Sequence, residues 1–283
     1  MSQPDQMTPA ALAAIAFEIA LLLCGLVLTW RLVLGAGARA RREAQLQEWR
    51  LPPVDFACYL CFGFVGAVVL SGIGGFFSRR VSMSADAATV VGSAVLDGGF
   101  LLGLAGFYLV FGARARDGGG GPSVPAALKS GLATFLVAMP LVAAVGYAWG
   151  LFLTRAGLPV ERQEMVDILE NTHSAALRWL FVALAAVLVP AAEELLFRAG
   201  LFRYFRTRAP RWMSIGLTSL LFGALHVTWG GHVTGLPSLL PVTTLAAVFC
   251  LAYERTGMIG TTIVAHSLFN LNSMILMLAG LDA

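Results

Sequence analysis

Pro190-Ala191-Ala192-Glu193-Glu194-Leu195-Leu196-Phe197-Arg198 closes an apolar run that begins at Trp179 and continues unbroken to Val189. Two adjacent carboxylates and a guanidinium at the end of such a run would be ordinary in a soluble amphipathic helix. In a membrane they are costly, because one Asp, Arg or Lys at a helix centre costs roughly 2.5–3.5 kcal/mol on insertion scales. The reading of the chain turns on which setting applies.

Composition answers that. The 283 residues are 58% hydrophobic and only 12% charged, with a mean hydropathy of +0.79. Soluble domains carry about 25% charged residues, so half that value together with long apolar runs indicates a polytopic membrane protein. A net charge of +3 does not point to nucleic acid. Of 19 basic residues only Lys129 is a lysine, a bias common in GC-rich bacterial genomes. Cys24, Cys58, Cys61 and Cys250 all lie inside apolar runs, so they read as small membrane-buried residues rather than a disulfide framework. Cys58 and Cys61 form a C-x-x-C, but no second pair or nearby histidine completes a zinc site.

Eight spans are predicted, at about Ala10–Trp30, Phe56–Phe77, Ala88–Gly112, Gly131–Leu153, Leu177–Phe197, Trp212–Thr228, Leu236–Tyr253 and Ile259–Leu281. Each is near the ~20 residues that cross ~30 Å of hydrocarbon. The expected fold is therefore an all-α, polytopic membrane helix bundle. The connections after spans one, three, five and seven hold 5, 3, 5 and 1 basic residues; the opposite side holds Arg79, Arg80, Arg155 and Arg162, with Arg178 at the start of a span. The positive-inside rule then expects both termini outside, in a bacterial inner membrane, with the first span retained because no basic residue precedes it. Glu18 within that span reads as structural.

Gly118–Gly121 with Pro122 and Pro125 suggests a cytoplasmic linker over residues 118–129. It divides an N-terminal three-span region, 1–117, from a five-span region, 130–283. Val160–Glu170 places Met165, Ile168 and Leu169 on one helical face among Glu161, Glu164, Asp167 and Glu170, as a short helix on the outer interface would. Gly99-x-x-x-Gly103 and Gly146-x-x-x-Gly150 allow close helix approach, within the chain rather than between copies. No internal repeat is evident, which argues against the inverted-repeat transporters.

Three polar clusters occupy the C-terminal spans. On a helix Glu194 and Arg198 (i, i+4) share a face and can pair, which leaves Glu193 on another face towards a cavity. Pro190 removes a backbone hydrogen bond just before them. Phe222-Gly223-Ala224-Leu225-His226 lies late in span six, and His266 and Asn270 share a face of the last span. Taken singly, each is explicable as interhelical polar contact.

Taken together, Glu193-Glu194-x-x-x-Arg198, Phe222-x-x-x-His226 and His266-x-x-x-Asn270 resemble the CAAX endopeptidase and bacteriocin-processing family (CPBP, or Abi) of intramembrane proteases. The resemblance covers about residues 177–275, placing an intramembrane catalytic core in the C-terminal half. In the family a glycine usually follows the arginine directly, whereas here Ala199 precedes Gly200. The resemblance implies that Glu193 activates a water held jointly with His226, that His266 and Asn270 donate to the oxyanion, and that Glu194 and Arg198 hold the helix.

No H-E-x-x-H or G-x-S-x-G is present. The favoured reading uses no cofactor; a zinc or other divalent ion on Glu193, His226 and His266, with water as fourth ligand, is the metal alternative. Expected partners are the bilayer and a membrane-associated peptide or protein substrate, reached through a cavity open to the cytoplasm. The competing readings are a non-catalytic scaffold or bacteriocin-immunity protein with a structural polar core, and, behind it, a proton-coupled transporter.

Overall fold

The computed structural model describes residues 8–35, 44–115, 123–158, 174–228 and 233–281. Within them lie eight helices: α1 (Pro9–Leu34), α2 (Pro53–Ser78), α3 (Ala85–Ala115), α4 (Val124–Ala156), α5 (Ala175–Arg206), α6 (Arg211–Ala224), α7 (Leu239–Thr256) and α8 (Ile259–Leu278). Among the described residues the extended structure is one isolated bridge, Thr228 with Thr234. Seven of these helices are long and apolar enough to cross a membrane. Large apolar side chains such as Val68, Leu109, Val187 and Leu220 point outward, as a hydrocarbon surrounding permits. The chain is an all-α integral membrane protein.

Helices that precede residues 118–129 pack on helices that follow them. α1 packs on α4 and touches α8, where Asn272 donates to Glu18 at 3.1 Å, so Glu18 is held structurally. α2 and α3 form a close hairpin. It is possible because Gly66, Gly99 and Gly103 carry no side chain: a Cβ on Gly99 would lie 2.9 Å from the Ala67 backbone. Gly150, in contrast, has open space beside it. The hairpin leans on α5 through Phe56, Tyr59, Phe100, Leu104 and Phe107, which bury Ala192.

The segment 44–51 straps one end of the bundle. Gln45 and Leu46 donate to the Glu254 carbonyl at 3.0 and 3.1 Å, Trp49 N–H donates to Thr207 at 2.9 Å, and Arg208 donates to the carbonyls of Trp49 and Leu51. Gly257, at φ 64° just past the end of α7, is needed here, since a Cβ would meet the Gln45 carbonyl. Glu254 also accepts from Arg206 at 2.7 Å and Arg211 at 2.6 Å, which ties the ends of α5, α6 and α7 at one level.

Two boundaries differ from the sequence reading in ways that move the site. The fifth span does not end at Phe197: α5 runs on to Arg206, so Arg198 is inside the bundle and not among the loop bases. Pairing with Glu194 removes the cost that would have ended the span there. The sixth helix stops at Ala224 after 14 residues, about 21 Å at 1.5 Å per residue, so His226 sits in the turn beyond it rather than within a span. Residues 124–129 of the expected linker are the first turns of α4. Gly118–Pro122 and the expected interfacial helix at 160–170 lie outside the described residues.

Candidate active site

α5 carries the organising stretch, and it is not a uniform α-helix. Leu184–Leu188 and Leu195–Phe202 are wound as π-turns on either side of Val189–Glu194. In the first, the Val189 N–H bonds back to the Leu184 carbonyl, five residues away. The next bond in that register would run from residue 190 to the carbonyl of Ala185, but Pro190 has no N–H. Asn270 supplies the missing donor from α8, its Nδ2 lying 2.9 Å from the Ala185 oxygen. An amide nitrogen has two hydrogens, so one is left for another acceptor.

Glu194 and Arg198 are fully buried, and Arg198 Nη1 donates to Glu194 Oε1 at 2.7 Å. The same oxygen lies 2.9 Å from His266 Nδ1. A carboxylate only accepts, so Nδ1 carries the hydrogen in that contact, which fixes the imidazole tautomer. The other ring nitrogen, Nε2, faces Glu193 Oε2 at 3.6 Å, beyond a direct hydrogen bond. Glu193 itself is 28% exposed against 5% for His266. His266 is therefore clasped between two carboxylates of different character, one buried and paired, the other open.

The remaining arginine nitrogens, Nε and Nη2, have no hydrogen-bond partner among the described residues. Aromatic faces take their place: the guanidinium carbon lies 4.4 Å from the Phe222 ring centroid and 5.3 Å from that of Phe249. Phe222 also touches both histidine rings, with centroids 4.6 Å from His226 and 6.0 Å from His266. The first residue of the Phe-x-x-x-His motif is thus the wall against which the other polar groups are set. His226 turns Nδ1 to the Phe222 carbonyl at 2.8 Å; because a carbonyl only accepts, Nδ1 is the protonated nitrogen and Nε2 holds a lone pair in the neutral ring.

Rise along the helices places these groups at comparable depth. From the Glu254 level, Glu193 lies 13 residues along α5 from Arg206 and His226 lies 15 beyond Arg211, each about 20 Å at 1.5 Å per residue.

Glu193, His226 and His266 do not fit a zinc as a ligand trio. Among the described residues no three His, Cys, Asp or Glu side chains converge as metal donors.

Two contributions were passed over in the sequence. Tyr59 of α2 packs against Gly200 and donates its hydroxyl to the Leu195 carbonyl at 2.6 Å, so the second π-turn is gripped from outside the motif region; no local signal marks this. Asp97 of α3 is a carboxylate within a span, a signal in itself.

No curated protein and no solved structure matches the chain. Residues 175–272, a little over a third of its length, match the family described as type II CAAX prenyl endopeptidase Rce1-like. That match falls on the helices that assemble Glu193, Glu194, Arg198, His226, His266 and Asn270, so over residues 175–272 this chain is similar to the CAAX/CPBP family of intramembrane proteases.

Proposed function

We propose that the protein is an intramembrane endopeptidase that hydrolyses peptide bonds of membrane-associated proteins or peptides. The observation that carries this reading is the clasp on His266: Glu194 Oε1 at 2.9 Å from Nδ1 and Glu193 Oε2 at 3.6 Å from Nε2. In this reading Glu193 takes a proton from a water, and the hydroxide attacks the scissile carbonyl carbon. The lone pair on His226 Nε2 accepts the second hydrogen of that water. As an imidazolium, His266 donates from Nε2 to the oxyanion, the buried Glu194 carboxylate stabilising its charge from behind, as the aspartate does for the histidine of a hydrolase triad. The second Nδ2 hydrogen of Asn270 is the other oxyanion donor.

Arg203, Arg206, Arg208, Arg211 and Arg255 gather at the strapped end, and Arg79, Arg80, Arg155 and Arg178 at the other. By the positive-inside rule the strapped end faces the cytoplasm and substrate enters from that side.

The test compares peptides released from membranes of cells carrying the wild-type chain or Glu193→Ala, both present at equal levels. Cleavage products absent from the variant support the reading. Identical peptide sets would leave the polar core as scaffold, the role to which the Asn270–Ala185 bond already points for one of its members.

A further inference from the structure

The catalytic reading above leaves one requirement unassigned. Hydrolysis of an amide needs a proton for the departing amine, and none of the six motif residues is committed to that. The N-terminal hairpin brings a carboxyl to the site. On α3, Val90, Asp97 and Leu104 are spaced by seven residues, so all three lie on one face. Val90 is buried against Phe181, Val182 and Ala185 of α5. Leu104 belongs to the cluster around Ala192, Leu195 and Leu196. Asp97 therefore meets α5 between these two contacts, at the level of Pro190. α3 and α5 run in the same direction, so their side chains lean alike, and Glu193, three residues beyond Pro190, stays within one helical turn of that level. The charge that acts on Asp97 is that of Glu193, and no hydrogen bond to another described residue satisfies the Asp97 carboxyl. On the hairpin side, α2 places its charged residue, Asp55, at its far end, in the first turn. Glu194 and Arg198 neutralise each other, and His266 Nε2 lies 3.6 Å from Glu193 Oε2.

We infer that Asp97 is a further catalytic residue, forming an acid–base dyad with Glu193 and donating the proton that releases the amine. Two carboxyls facing one another in a partly desolvated site hold one proton between them rather than two charges. Before the reaction Asp97 is the protonated partner and Glu193 the ionised one. Glu193 removes a proton from water and the hydroxide adds to the carbonyl carbon. As the C–N bond breaks, the Asp97 proton passes to nitrogen. Transfer of the proton from Glu193 to Asp97 restores the starting state, so one water is consumed and each proton is accounted for. The N-terminal hairpin, outside the matched family segment, thus completes the site.

This inference rests on the endopeptidase reading, and its test separates the two. The purified full chain is assayed on a quenched-fluorescent farnesylated peptide ending in a CAAX sequence. Its counterpart has the scissile amide replaced by an ester with a phenol leaving group, which departs without a proton donor. Asp97→Asn is expected to lower kcat on the amide by about 10²-fold with KM within a factor of three, while ester cleavage stays within about threefold of wild type. Asp97→Glu should recover part of the amide activity. Equal losses on amide and ester, or none on either, overturn the dyad. If the wild-type chain cleaves neither substrate, or Glu193→Gln cleaves both as wild type does, the endopeptidase reading fails first.

Discussion

Removing the charge of Glu194 while keeping its shape should destabilise the protein more than removing its partner. In Glu194→Gln, Oε1 can still accept from Arg198 and His266, which stand at 2.7 and 2.9 Å, but the carboxylate charge is gone. The new NH2 takes the place of Oε2, which has no hydrogen-bond partner among the described residues. Arg198, at 0% exposure, is then a buried cation without a counter-ion, and arginine cannot shed its proton. Breaking a buried pair from one side costs about 3–5 kcal/mol. Arg198→Met should cost less, because an orphaned glutamate can neutralise itself by binding a proton. Removing both charges leaves an uncharged core of similar volume, so the double variant should be more stable than Glu194→Gln, with a compensating interaction energy of about 2–3 kcal/mol. Equilibrium unfolding in mixed detergent micelles titrated with SDS, followed by tryptophan fluorescence, gives the four free energies of the cycle. Additive losses in the double variant, or a Glu194→Gln cost under about 1 kcal/mol, would refute a tightly coupled buried pair. All three variants should lose activity, since each removes or neutralises the carboxylate charge that stands behind His266.

Two further predictions test the scaffold around the site. Asn270→Leu leaves the Ala185 carbonyl without its donor and should cost about 1–3 kcal/mol; adding Pro190→Ala, which returns a backbone N–H, should recover much of that in the same titration, and no recovery would mean that the proline gap is not what Asn270 fills. Gly99→Leu would force apart α2 and α3, whose backbones meet there, at a cost of about 1–3 kcal/mol or more, whereas Gly150→Leu, with open space beside it, should leave the SDS midpoint unchanged.

Much of this protein follows from the order of its residues alone. Apolar runs of about 20 residues can only become membrane-spanning helices, because backbone groups in hydrocarbon must bond within the segment. The i, i+4 spacing fixes that Glu194 meets Arg198 and that Glu193 does not, since helical periodicity is a local property. The three motifs are likewise legible, as each lies within a few residues of sequence. What lies between helices is not. That His266 bridges the two glutamates, that Phe222 and Phe249 flank Arg198, and that Asn270 fills the gap left by Pro190 depend on which helix faces which. Helix pairing in an apolar medium is decided by small residues and single polar contacts rather than by any periodic pattern. The extent of α5 belongs to the same class. From sequence, Arg198 reads as the end of a span; in the folded protein a partner one turn away neutralises it, and the helix continues to Arg206. Charge in a membrane is costly only until something answers it, and that answer is given by tertiary structure.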